Sequence, residues 1–347
     1  MEQTRDFIII GAAQAGLSMA YFLKKMGRDY LLVDKEERIG ASWLNRWDSL
    51  TLFTPSEFNN LPGMNFPAPK GYYPSKEEVA EYFKAYAEEY NFPIQFNTLI
   101  TEITGENNFF LLKSPQGNLR AKNVIIGTGP FHIPYTPPFA KKLDKGIFQA
   151  HSNYYKNPQQ LKEGNTMVVG GGDSGFQILD EISKKSTKKV YFSGATDVNT
   201  LPQEIFGKTL WWWFTKTGFL SFSRDSWLGK QIRKSRQPVI GTDVKAILKR
   251  KNVFPVGKTK NAEGKIIITE KQKLYNIQNI IWATGYRPNF SWIEDLELNK
   301  DGYPKHHRGI SNIEGLYFIG LPWLHTRGSA TLGGIKKDAA YLAEHFK

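Results

Sequence analysis

Two stretches of this chain repeat one layout, and that duplication restricts the fold more than any other feature of the sequence. The first runs Phe7-Ile-Ile-Ile10, then Gly11-Ala-Ala-Gln-Ala-Gly16, a helical pattern and the strand Tyr30-Leu-Leu-Val-Asp34. The second runs Thr166-Met-Val-Val169, then Gly170-Gly-Gly-Asp-Ser-Gly175, a helical pattern and the strand Val190-Tyr-Phe-Ser193. Each reads as strand, glycine-rich turn, helix and strand, which is a right-handed βαβ unit on a parallel sheet. Leu17, Tyr21 and Leu23 give the first helix its apolar stripe, and Phe176, Leu179 and Ile182 give the second. The expected fold is α/β, with two Rossmann-like domains and the second inserted in the first.

A glycine-rich turn of this kind has a physical purpose. Its first glycine makes the tight turn, its second lets a pyrophosphate approach the backbone, and its third lets the helix pack on the strand. The pyrophosphate then rests on the helix N-terminus, and a carboxylate some 20 residues on accepts ribose hydroxyls. Gly11 and Gly16 fit the first and third roles, Ala13 puts a methyl in the middle one, and Asp34 ends the next strand. Gly170, Gly172 and Gly175 fit all three roles, with Asp173 and Ser174 opening the helix. Two such sites imply two cofactors exchanging a hydride, a flavin (FAD) and a nicotinamide (NADPH, NADH or both).

Asp34 lies 18 positions after Gly16, and the matching residue after Gly175 is Ser193, followed by Gly194. Ser193 has no charge to repel a 2′-phosphate and no guanidinium to grip one. Lys188 and Lys189, at the start of that strand, are expected to supply weak attraction, so both NADPH and NADH should serve. The expected domains are residues 1–155 and 276–347 for FAD and 156–275 for the nicotinamide. Thr128, Gly129 and Thr284 end apolar strands, where ligands of such sheets bind.

Composition narrows the function. The chain of 347 residues has no cysteine, so it has no disulfide, no thiolate metal site and no catalytic dithiol of the disulfide-reductase kind. Electrons must leave to oxygen, a quinone, another protein or a substrate directly. No apolar run is long enough to span a membrane, and the start holds no signal peptide, which gives a cytoplasmic expectation. The net charge is +13, and residues 230–251 supply +7 of it. No stacking or groove-fitting module accompanies those cations, so nucleic acid is not expected as a partner. His306 and His307 lack a nearby ligand set, and no metal site is expected. Trp211-Trp-Trp-Phe214 could roof a substrate pocket, touch a membrane surface, form a homodimer interface or pack on its own domain.

Several ordered motifs resemble the class B flavin-containing monooxygenases, and most of all their short bacterial CzcO-like branch. They are Ile8 to Leu17, Ser42-Trp43, Arg46-Trp-Asp-Ser-Leu-Thr-Leu-Phe-Thr-Pro55, Leu61-Pro62-Gly63, Gly127-Thr-Gly-Pro130 and His151-Ser-Asn-Tyr-Tyr155. Gly170 to Gly175, Ala283-Thr-Gly-Tyr286, Gly315 to Trp323 and Arg327-Gly-Ser-Ala330 complete the set. The family fingerprint is incomplete here, because Lys145 and Ile147 stand where it has Phe and Gly. The resemblance implies that NAD(P)H reduces FAD and that oxygen then forms a C4a-(hydro)peroxyflavin. One oxygen atom would pass from it to a small soft nucleophile, sulfur or nitrogen. A flavin or quinone-type reductase without oxygenation is the alternative, and a redox accessory protein of a cation transport system is another.

Under this reading the flavin set is Gly11, Ala13, Gln14, Ala15, Gly16, Asp34, Lys35, Ser42, Trp43, Thr54, Thr128, Gly129, Gly320 and Leu332. The helix start between Arg327 and Leu332 would aim its dipole at the reduced flavin. Asn59 and Asn60 are candidates for orienting the reacting oxygen, and Arg46, expected with Trp43 at the flavin edge, is a further catalytic candidate. His151 is expected to orient the interdomain linker and is not assigned as a base.

Overall fold

The computed structural model describes residues 4–106, 108–235 and 237–347, so Arg236 of the basic stretch lies outside it. Along the chain run β1 (Thr4–Ile10), α1 (Gln14–Lys25), β2 (Tyr30–Val33), α2 (Lys76–Glu89) and β3 (Leu119–Ile126). Next come β4 (Phe148–His151), β5 (Thr166–Val169), α3 (Asp173–Lys185) and β6 (Val190–Ser193). The remainder is α4 (Leu210–Lys216), α5 (Trp227–Lys234), β7 (Val253–Pro255), β8 (Asn279–Trp282), β9 (Leu316–Phe318) and α6 (Ile335–His345).

Two parallel sheets organise these elements. In the first, β1 lies between β2 and β3, and β9 returns beside β3. Alternation along β1 feeds two cores: Phe7 and Ile9 face α1, α2 and α6, while Ile8 and Ile10 face Phe290, Ile293 and Leu324. The hairpin 102–106 and 109–113 is antiparallel, whereas Ile94–Gln95 pairs parallel to β2. Ser75 caps α2 through a capping box with Glu78, as the sequence indicates.

In the second sheet the order is β7-β6-β5-β8-β4, every pair parallel. Phe176, Leu179 and Ile182 of α3 pack on one face, and Ile267 and Leu274 from the strands at 259–274 cover the other. Strand pairing therefore places 148–151 and 279–282, which the sequence boundaries put with the first unit, in the second sheet. The chain crosses between sheets after β3 and again after β8.

Candidate dinucleotide sites at two switch points

Both sheets reverse their strand order beside a glycine turn, and the local geometry at the two places is the same. Gly11 has φ +104°, and a Cβ there would sit 2.8 Å from the carbonyl oxygen of Gly127, at the end of β3. Gly170 has φ +125°, and its Cβ would sit 2.1 Å from the Ala283 carbonyl oxygen, at the end of β8. Each first glycine is thus wedged against the neighbouring strand at the switch, where ligands of open parallel sheets bind. The third glycines close the helices on the turns: a Cβ on Gly16 or Gly175 would lie 1.8 Å or 2.0 Å from the carbonyl oxygen of Gly11 or Gly170.

The helices that follow are bare at their N-termini. Ala13 before α1 and Gly172 before α3 are extended and provide no side-chain cap. By contrast Ser75, Thr209 and Ser226 cap α2, α4 and α5 with side-chain oxygens. Among the labelled helices only α6, after Gly334, is also uncapped. Unsatisfied N–H groups at a helix start need an acceptor, and an anion meets that need. Nothing lies within 4 Å of where a Gly172 Cβ would be. The residues present therefore fit a diphosphate at each turn.

Asp34 is oriented by its own surroundings. One carboxylate oxygen accepts the Ala12 N–H at 2.6 Å and the other accepts the Glu36 N–H at 2.9 Å. This fixes the carboxylate over the first turn with lone pairs left for ribose hydroxyls. Trp43 Nε1 donates to Gln14 Oε1 at 3.3 Å, so Trp43 meets the start of α1. Ala15 is buried, and a Cβ on Gly320 would lie 2.9 Å from its methyl, so the C-terminal segment closes on the same turn. Lys35, Ser42 and Thr128 are exposed around this region, and Gly129 has φ +70°.

Other expected residues have different employment. Asn59 is fully buried, its Nδ2 donating to the Thr54 and Pro55 carbonyls and its Oδ1 accepting the Thr54 hydroxyl at 2.6 Å. Both N–H groups are committed, so Asn59 shapes the 54–60 loop and has none to offer a reacting oxygen. Asn60 similarly holds the Phe66 N–H and the Glu57 carbonyl. Ser193 is buried, its hydroxyl bonded to Thr259 Oγ1 at 2.7 Å and to the Thr259 N–H at 2.9 Å. Gly194 lies over Gly171, 3.3 Å from its nitrogen when given a Cβ. Asp173 Oδ1 accepts the Ile240 N–H at 3.1 Å, and burial raises this carboxyl above its ordinary pKa. Ser174 is half-buried in the first turn of α3. The α-helix at the C-terminus begins only at Ile335, because Arg327–Ala330 is a separate 3-10 turn capped by Thr326. Leu332 falls between them, buried in the core.

Lys188 and Lys189 cannot act as expected. They precede β6, while Ser193 ends it, about 13 Å of strand away. Lys188 pairs with Glu163 at 3.4 Å and Lys189 lies over the Phe254 ring.

The crossings between the sheets are tied together. His151 Nδ1 accepts the Asn153 N–H at 3.1 Å, which leaves its Nε2–H to donate to the Gly285 carbonyl at 3.0 Å. Burial lowers the His151 pKa, which matches this neutral tautomer. Tyr155 is fully buried and donates to Glu181 of α3 at 2.9 Å. The Thr284 hydroxyl bonds the Tyr135 carbonyl across the two crossings. Arg46 reaches both: it donates to Asn153 Oδ1 at 3.1 Å and to the Tyr286 hydroxyl, and it stacks over Phe131.

The tryptophan cluster packs across the boundary. Trp211 is buried, stacks on Phe53 at 6.0 Å and donates its Nε1–H to the Phe53 carbonyl at 2.9 Å. Trp213 donates to the Ile205 carbonyl at 2.9 Å and Phe214 stacks on Phe219, so the cluster packs on its own insertion and, through Trp211, also covers the first unit's 53–58 loop. Gly333 completes that corner, since a Cβ there would strike the Phe58 carbonyl oxygen at 2.0 Å. The adjacent glycines 333 and 334 are the sequence signal for this close approach. Among the described residues no group of three His, Asp or Glu side chains could hold a metal, and no helix is long and apolar enough to cross a membrane.

Comparison with known proteins agrees with this geometry. Residues 8–201 match the model of the pyridine nucleotide-disulphide oxidoreductase family. A CzcO-like oxidoreductase of Geobacillus kaustophilus is 41% identical over 343 residues, covering 99% of this chain and 98% of the relative. "Probable indole-3-pyruvate monooxygenase YUCCA3" of Arabidopsis thaliana is 27% identical, over 90% of this chain and 81% of its own. The solved flavin-containing monooxygenase of Stenotrophomonas maltophilia has a TM-score of 0.81 at 24% identity, with 99% of this chain and 98% of that chain covered.

The fold and its paired turns define a flavin-dependent oxidoreductase. More narrowly, the chain belongs to the pyridine nucleotide-disulphide oxidoreductases and, within them, to the class B flavin monooxygenase family with its CzcO-like members.

Proposed function

We propose that the protein is an NAD(P)H-dependent, FAD-containing monooxygenase acting on a small soft nucleophile, sulfur or nitrogen. One oxygen atom of O2 goes to the substrate and the other to water, while NAD(P)H and a proton supply the two electrons and two hydrogens. The observation that supports this best is the pair of bare helix starts at two switch points, in a chain without cysteine. Two dinucleotides have seats, and the dithiol outlet of disulfide reductases is missing.

Bound at the first turn, FAD supplies oxygen activation once it is reduced. The chain's own residues do the rest. Asp34 and the start of α1 hold the FAD ribose and diphosphate, and the turn from Gly170 to Gly175 holds the nicotinamide cofactor. Trp211 roofs the 53–58 loop, and excluding water there suppresses loss of oxygen as peroxide. Arg46, His151 and Tyr155 brace the crossings so that the two cofactors keep one relative geometry.

The departure of Lys145 and Ile147 from the family fingerprint favours a second reading, a reductase from which oxygen only leaks. Turnover of a methyl thioether under 18O2 decides between them. Labelled sulfoxide, preceded in stopped flow by a near-ultraviolet transient that the thioether shortens, supports the monooxygenase. Hydrogen peroxide equal to the NADPH consumed, with no label in the product, supports the reductase.

A further inference from the structure

The seat at the second turn has a feature at odds with an anionic ligand. Asp173 opens α3, where a carboxylate suits the helix dipole but repels a phosphate. A cation in reach would offset it, and among the described residues the second unit offers none in contact with Asp173. The first unit does. Arg327, on the 3-10 turn before α6, reaches across to Gln237 of the second unit.

Its placement is defined by three neighbours. The guanidinium donates from Nη2 to Gln237 Oε1 at 3.1 Å and lies over the Phe219 ring, 5.4 Å from its centroid. Gln237 stands three residues before Ile240, whose N–H binds Asp173. Arg327 and Asp173 feel each other's charge without forming an ion pair. Among the described residues Arg327 has no carboxylate partner, and a half-buried arginine without one keeps several N–H donors for a ligand. The fork of a guanidinium matches two phosphate oxygens better than an ammonium does.

We infer that Arg327 is the residue by which the flavin-side unit grips the diphosphate of the nicotinamide cofactor, completing a clamp whose other jaw is the bare start of α3. This rests on the second turn being the nicotinamide site. The clamp spans both units, so the cofactor is held by residues of each. Phe219 and Gln237 position the guanidinium from the insertion that also bears Trp211.

The test is calorimetric titration of the FAD-loaded protein with ADP-ribose, which carries the diphosphate without the nicotinamide. Arg327→Ala and Arg327→Gln should weaken ADP-ribose binding roughly 10- to 100-fold, as loss of a charged hydrogen bond does. Arg327→Lys should restore part of it, with flavin content and thermal midpoint unchanged in all three. In anaerobic stopped flow the NADPH dissociation constant should rise by the same factor, while the limiting rate of flavin reduction moves less than about threefold. Wild-type affinity for ADP-ribose in Arg327→Ala would overturn the clamp and leave the nicotinamide site standing. Failure of the wild type itself to bind ADP-ribose or NADP+ would instead remove the site on which the clamp depends.

Discussion

The two glycine turns are built on one plan and differ in the residues between their outer glycines. Both wedge a first glycine against the neighbouring strand and both start a helix with no cap. The middle position is Ala13 in one and Gly172 in the other, where the space a Cβ would fill is open. The difference teaches which glycines the architecture needs and which the ligand needs. The outer glycines are required by backbone contacts inside the protein, whereas a Cβ at Gly172 would meet no protein atom and the Ala13 methyl packs at the edge of the first core. The seats also differ in their strand-end partner. Asp34 projects a carboxylate held by two N–H groups, while Ser193 turns inward to Thr259.

The largest effects should come from the outer glycines. Gly16→Ala and Gly175→Ala each drive a methyl onto a carbonyl oxygen, at 1.8 Å and 2.0 Å. Each should destabilise its own unit by about 3 kcal/mol or more, measured by denaturant unfolding. If Gly175→Ala folded with wild-type stability, the equivalence of the two turns would fail.

Acid should separate the two units next. His306, in the antiparallel extension of the first sheet, is lowered to about 4 by burial and by Arg224 beside it. His132 and His151, at the first crossing and in β4, are lowered by burial as well. An unfolded histidine takes its proton near pH 6.5, so between that pH and about 4 the unfolded chain binds protons that the folded one refuses. Stability is therefore full above pH 6.5 and falls as pH drops, by up to about 3 kcal/mol for His306 alone. Of these histidines only His151 belongs to the second sheet, and no further one lies between residues 151 and 306, so FAD release should precede loss of structure around α3. His306→Asn should flatten the profile in urea titrations. An unchanged slope would contradict the burial argument.

How much of this was legible in the sequence follows from the same division. The two turns and the helices behind them could be read, because each rests on local period and on glycines a few residues apart. The wedged glycine Gly11, the closing glycine Gly16 and the oriented carboxylate of Asp34 were legible in the same way. Contacts made by side chains across distant segments were not. Nothing local says that Asn59 spends both N–H groups on its own loop, or that Ser193 faces Thr259. Strand β8 reads as an ordinary apolar segment and β4, Phe148–His151, shows no strand pattern, and only the pairing of β8 with β5 and of β4 with β8 shows which sheet they complete. Trp211 illustrates the limit best, since its partner Phe53 lies across the boundary between the units.

Intermediate effects test the ligand-facing positions. Asp34→Ala removes an acceptor from two N–H groups and from the ribose, and should weaken FAD roughly 100-fold, read as flavin lost on gel filtration. Gly172→Ala meets no protein atom, so stability should stay within about 1 kcal/mol while nicotinamide affinity falls roughly tenfold. The converse change, Ala13→Gly, should alter flavin retention less than about threefold, since FAD already tolerates that methyl. A large gain from Ala13→Gly would mean that the first seat is strained.

The smallest effect concerns the choice between NADPH and NADH. Ser193 is buried and its hydroxyl is used, and Lys188 and Lys189 stand at the wrong end of β6. Nothing at the strand end then reads a 2′-phosphate, in contrast to the ribose carboxylate of the first seat. The kcat/KM values for the two cofactors should differ by less than about a hundredfold, or roughly 2.7 kcal/mol. Lys188→Ala and Lys189→Ala should move that ratio less than about twofold, because an exposed charge more than a Debye length away is screened. A tenfold shift from either lysine would require the adenosine end to lie across the strand's N-terminal edge. That would break the parallel between the two seats, since Asp34 works from the C-terminal end of its strand.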